Sequence, residues 1–132
     1  MKCPYCGLPA NLVDSSVIYG TSYGLAWVCS GFPECDSYVG CHKGTANPLG
    51  RMADKELRFA KIHAHAAFDR LWKAKMRIDK CSKGRARGAG YEWLAKKLEI
   101  PASECHIGMM DTTLCRKVVE VCRRYSGNSR LV

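Results

Sequence analysis

The chain has 132 residues, 47% of them hydrophobic and 25% charged, with a formal net charge of +9. That length suits one ordinary domain, or a small metal-stapled module fused to a helical one, and the balance excludes a disordered chain. No run approaches the roughly 18 apolar residues that span a bilayer, and Cys3-Pro4-Tyr5-Cys6 stands where a signal peptide would carry its hydrophobic stretch, so the sequence predicts a cytoplasmic protein with no membrane partner.

The chain opens on Cys3-Pro4-Tyr5-Cys6-Gly7, a zinc knuckle: the two-residue gap brings both sulfurs to one side of a tight turn, and the glycine lets the backbone turn back. Residues 11–19 and 23–28 then read as two strands of a hairpin around Gly20-Thr21-Ser22. A second turn follows, Cys29-Ser30-Gly31-Phe32-Pro33-Glu34-Cys35. Cys3, Cys6, Cys29 and Cys35 would complete a tetrahedron around one structural Zn²⁺, and four thiolates leave no open position for a reacting water. The gap in the second pair is wider than the usual two residues, so Cys41 competes with Cys29 or Cys35 as fourth ligand, with His42 a more distant candidate. Nine cysteines, an odd number, agree with thiolates and metal rather than disulfides.

Residues 40–50, with Pro48 and three glycines, read as a loop that closes a first domain, the zinc ribbon of residues 1–50. Residues 51–132 form the second, a basic helical region. Leu57, Ala60, Ala64, Phe68 and Leu71 recur at helical spacing, with Asp54 near the positive end of the helix dipole, which predicts a helix over 54–77. Residues 81–90 are basic and glycine-rich and read as a flexible loop or arm. A second helix is predicted over 91–99, with Tyr91, Leu94, Ala95 and Leu98 on one side and Pro101 beyond its end. The third runs from an Asp111 N-cap to about 125, with Leu114, Val118, Val121 and Tyr125 inward, and 126–132 form a loose tail. The connection at 100–110 is too long for a helix-turn-helix motif. The fold class is therefore α+β: a β-hairpin with two zinc knuckles, then a small three-helix region.

Charge divides unevenly along this plan. Residues 1–70 hold 7 Lys/Arg against 6 Asp/Glu, and residues 71–132 hold 14 against 6. Such asymmetry points to a polyanion bound by the second half, nucleic acid being the commonest. Lys73, Lys75, Arg77, Lys80, Lys83, Arg85 and Arg87 face only Asp79 in opposition, and phosphate contact is their plainest use. Tyr19, Tyr23, Trp27 and Phe32 lie on the ribbon, where aromatic rings either stack on unpaired bases or cover a small core. His42 and His106 are candidates for a nuclease acid and base, but no Asp/Glu cluster accompanies them to hold Mg²⁺. Cys81, Cys105, Cys115 and Cys122 contain no knuckle spacing and read as small buried side chains.

Two resemblances accompany these residues. Cys3 to Gly7 followed by the turn from Cys29 to Cys35 resembles the four-cysteine zinc ribbon at the C-terminus of type IA topoisomerases, which contacts single-stranded DNA. Over nearly the whole chain, Val39-Gly40-Cys41-His42, Asn47-Pro48-Leu49-Gly50-Arg51, Ala64-His65-Ala66-Ala67-Phe68-Asp69-Arg70-Leu71-Trp72, Tyr91-Glu92-Trp93-Leu94-Ala95 and Cys105-His106-Ile107-Gly108-Met109 resemble a zinc-finger-containing domain of phage and prophage genomes. The resemblance implies a phage origin and this fold rather than an activity. The expectation is a non-enzymatic, phage-type zinc-ribbon protein in the host cytoplasm that binds DNA or RNA through its basic half in a regulatory or accessory role. The alternatives are a protein-interaction module that binds a host enzyme such as RNA polymerase, and a histidine-dependent nuclease.

Overall fold

A computed structural model of the chain describes residues 1–129. The chain divides into two compact units, Met1–Arg58 and a second that begins at Phe59. Among the described residues no helix is long and apolar enough to cross a membrane.

The first unit is a three-stranded antiparallel sheet in the order β1 (Ala10–Asp14), β2 (Leu25–Cys29), β3 (Tyr38–Gly40). Ala10 pairs with Cys29 and Asp14 with Leu25, so the register sets Cys29 at the end of β2 nearest the N-terminal knuckle. The hairpin is shorter than the sequence suggests. Residues expected to continue the first strand instead form a helical turn, α1 (Ser16–Tyr19). Asp14 accepts from the Ser16 amide at 3.0 Å and the Ser22 hydroxyl at 2.6 Å, and Ser15 Oγ accepts from the Tyr23 amide at 2.7 Å. These local bonds outcompete strand pairing, and Gly20 closes the turn at φ +76°.

Strand β3 was not legible, because three residues are too few to show a period of two. It brings back the segment expected as a separating loop. Cys41 N–H donates to the Leu25 carbonyl at 3.1 Å, and Trp27 Nε1 donates to the Ala46 carbonyl at 2.8 Å. Arg58 then ties the start of α2 (Lys55–Asp79) to the sheet, donating to the Asp36 and Ala53 carbonyls and the Asp36 carboxylate while its guanidinium lies 4.2 Å from the Tyr38 ring centroid. Asp54 caps this helix by accepting from the Leu57 amide at 2.9 Å.

The second unit contains the rest of α2, then α3 (Lys83–Leu98), two 3₁₀ turns at Ala102–Glu104 and Ile107–Met109, and α4 (Thr112–Ser129). The expected flexible arm at 81–90 is corrected here: all but its first two residues are helix. Ser82 caps it, its hydroxyl accepting from the Arg85 amide, and Ala86 is fully buried. Gly90 explains how α3 docks, since a Cβ there would lie 3.0 and 3.1 Å from the Phe68 ring. The glycine is thus a packing device that admits close approach of α3 to α2, not a mark of flexibility. Helix α4 continues beyond the expected 125 to Ser129, and the last three residues of the expected tail lie outside the described ones. Its innermost positions are Cys115, Val118 and Cys122, with Leu114 and Val121 half-buried and Tyr125 exposed. Both thiols are fully buried and act there as small apolar side chains.

Candidate functional site

The two knuckles meet at the end of the sheet. Among the described residues, the sulfurs of Cys3, Cys6, Cys29 and Cys35 lie within 4.8 Å of one another, with Cys3 to Cys35 at 3.6 Å and Cys6 to Cys29 at 3.4 Å. A tetrahedral Zn²⁺ at about 2.3 Å from each sulfur sets its ligands roughly 3.8 Å apart, so the four thiols have the spacing the metal requires. None is in a disulfide.

Each turn is closed by its own backbone. Cys3 N–H donates to the Leu8 carbonyl at 2.8 Å and Gly7 N–H to the Cys3 carbonyl at 3.0 Å, with Gly7 at φ +77°. In the wider second turn, Phe32 N–H donates to the Cys29 carbonyl and Cys35 N–H to the Gly31 carbonyl, both at 3.0 Å. The three extra residues form this second loop and still return Cys35 to the cluster. A side chain at position 31 would press on Leu8 at 3.2 Å, so the knuckles interlock there.

The surroundings act on the thiols in opposite directions, lowering Cys3 and raising Cys29 and Cys35. Burial pushes the Cys3 thiol up, but the amides of Cys6 and Tyr5 and the hydroxyl of Ser37 outweigh it and bring it down to about 6. Cys35 accepts from the Ser37 amide, yet burial and the neighbouring sulfurs push its thiol up to about 12. The cluster therefore gives up its first proton readily and holds a later one, and a divalent cation removes that conflict by sharing the charge. Ser37 is the residue that sequence reasoning missed. It is fully buried and touches three ligands: its carbonyl accepts from the Cys29 amide at 3.0 Å, its amide faces Cys35, and its hydroxyl, with no other partner, faces Cys3. A buried hydroxyl left without an oxygen or nitrogen partner is costly unless a thiolate takes its hydrogen.

Register settles the competition for the fourth position. Cys41 follows β3 and bonds at Leu25, whereas Cys29 is the other end of β2, roughly 13 Å away at the rise of a strand. Cys41 and His42 thus stand at the wrong end of the sheet. The model of a zinc-finger-containing domain family matches residues 1–125. The chain belongs to that family. No curated protein and no solved structure matches it. Family and geometry agree on one structural Zn²⁺ held by four thiolates.

In this zinc-finger-containing domain the seven expected cations fall on two ordered helices and the turn between them. Lys73, Lys75 and Arg77 lie on α2, Lys80 in the turn at φ +52°, and Lys83, Arg85 and Arg87 on α3, all exposed. Lys73, Lys83 and Arg87 gather 5.6, 5.8 and 5.9 Å from the centroid of Trp72, whose indole N–H donates to Asp69 at 2.8 Å. Lys75 pairs with Asp79 at 2.7 Å. Such clustering of like charge is tolerated because the indole face attracts cations.

His42 belongs to the first unit and His106 to the second, and both are exposed, His106 with its ring 5.6 Å from Tyr91. Among the described residues the four thiols form the one grouping able to hold a metal. On the ribbon, Tyr23, Tyr19, Tyr38 and Phe32 form a run of edge-to-face pairs at 5.6, 6.1 and 6.5 Å. Cys105, Cys115 and Cys122 are buried as expected, whereas Cys81, expected to be buried with them, is only half-buried.

Proposed function

We propose that this zinc-finger-containing protein binds DNA or RNA through its helical unit, with Lys73, Lys75, Arg77, Lys80, Lys83, Arg85 and Arg87 contacting phosphates and the zinc ribbon serving as a metal-held structural module. The reading rests on one observation: these cations sit on two helices and one tight turn, and within residues 73–87 the single carboxylate is Asp79, which Lys75 engages. An ordered cationic surface avoids most of the entropy that a disordered arm would lose on binding. The role is regulatory or accessory and not enzymatic, since a closed thiolate site activates no water and, among the described residues, the exposed histidines join no metal-holding carboxylate cluster.

Fluorescence-anisotropy titration of labelled oligonucleotides at several salt concentrations tests this. Each bound cation should contribute a log-log slope of about −0.7 to −0.9, and changing Lys83, Arg85 and Arg87 together to Ala should flatten the slope by roughly two to three units. Equal slopes for both proteins would remove these residues from the interface. No binding by the wild type at low salt would leave the cations to an acidic protein surface, and cleavage lost on His42→Ala or His106→Ala would make the protein a nuclease.

A further inference from the structure

The helical unit contains a cleft that phosphate contacts alone do not explain. Its apolar end, a cavity of about 440 Å³, is lined by Leu71, Ile78, Ala86, Trp93 and Tyr125, with Trp72 at its floor. A volume of that order suits a small planar ligand. Trp93 and Tyr125 stand 4.9 Å apart, and Ile78 is 78% exposed, an uncommon position for so apolar a side chain to be left in water.

A second cavity, of about 690 Å³, has the opposite character, being lined by Lys75, Lys80, Ser82 and Arg85. The two share Lys75, Asp79 and Ala89, so they are one cleft between α2 and α3 with an aromatic end and a cationic end. At the junction the Asp79 carboxylate is engaged by Lys75, which leaves Lys80 and Arg85 to meet an anion. A ligand that fills both ends must carry a flat apolar group and a negative group a short linker apart.

We infer that this cleft holds one unpaired nucleotide, its base against Trp93, Tyr125 and Ile78 and its phosphate at Lys80 and Arg85. The inference deepens the proposed function and rests on it. A duplex keeps its bases stacked inside, so only a single strand or a free nucleotide can fill both ends at once.

The test titrates a labelled oligothymidylate and the matching abasic phosphodiester strand against the full chain, reading anisotropy and tryptophan emission. The base-bearing strand should bind about tenfold tighter than the abasic one and quench tryptophan emission, as one stacked base allows. Trp93→Ala should abolish that preference and leave abasic binding unchanged. Ile78→Asn, which adds no charge to the cleft, should do the same, and because position 78 is exposed it disturbs no core. The pair Lys80→Gly and Arg85→Ala should weaken both strands alike and reduce the salt slope by about two; glycine suits the left-handed backbone at 80. Thymidine monophosphate as competitor separates the sources: competition at oligomer concentrations identifies a free-nucleotide site, and competition by the oligomer alone identifies a strand site, both keeping the nucleotide. Equal binding of the two strands by wild type, or a preference that survives Ile78→Asn, overturns the inference while leaving phosphate binding intact. Absence of binding by either strand overturns both.

Discussion

Replacing Gly88 by alanine should stabilise the helical unit, and the same change at Gly90 should destabilise it. Both glycines lie inside α3, where glycine costs about 0.5–1 kcal/mol relative to alanine because of the backbone freedom lost on folding. A Cβ at Gly88 meets nothing within 4 Å, so Gly88→Ala recovers that full amount. In a unit of this size it corresponds to a rise in Tm of about 4 °C. At Gly90 the new methyl lies 3.0 Å from Phe68 Cζ and 3.1 Å from Cε1 of a ring that is 1% exposed, so the ring or α3 must shift to admit it. Overpacking of that kind costs about 1–3 kcal/mol, which outweighs the propensity gain and leaves a net loss of roughly 1 kcal/mol. Thermal unfolding followed by circular dichroism at the helix band gives both values. A neutral Gly88→Ala would refute the ordered helix, since a segment equally free in both states gains nothing from the substitution.

The zinc ribbon should depend on its metal. Two of the five residues in the ribbon's main buried cluster are Cys3 and Cys29, so Cys6→Ser should abolish stoichiometric zinc and expose residues 1–58 to protease while the helical signal of 59–129 persists; a full zinc equivalent in that variant would refute the site. Ser37→Ala should keep the fold and weaken zinc about 10- to 100-fold in a chelator competition, and unchanged affinity would deny Ser37 a part in holding the thiolates. Burial raises the Cys105, Cys115 and Cys122 thiols, the last from 9.0 to about 11. A raised folded value gives stability that is whole below the unfolded value and lost as pH rises through the folded one, so stability should fall between pH 9 and 11, by an amount on the order of 2–3 kcal/mol for Cys122 and with a matching drop in Tm, and Cys122→Ala should flatten that fall.

The sequence by itself determined the metal and most of its ligands. Cys3-Pro4-Tyr5-Cys6-Gly7 states ligand type and turn geometry within five residues, and chemistry that local needs no tertiary information. It also determined the existence of α2 and α4, whose apolar period is long enough to read, and the Asp111 cap, which accepts from Leu114; Asp54 was legible as a charge that the helix dipole favours, and the structure adds that it accepts from the Leu57 amide. The choice between Cys35 and Cys41 came only from the sheet register, because strand β3 sets Cys41 opposite Leu25 and β2 carries Cys29 to the other end. The helix at 83–90 likewise was decided by packing. Gly84, Gly88 and Gly90 speak locally for a flexible loop, but Ala86 is buried and Gly90 lets α3 reach Phe68, and those contacts join residues more than fifteen positions apart. The cleft between α2 and α3 follows from that docking, so Lys80, Arg85 and Trp93 share a site only in the folded chain. Helix propensity is a weak preference summed over neighbours, and burial against a partner helix overrides it.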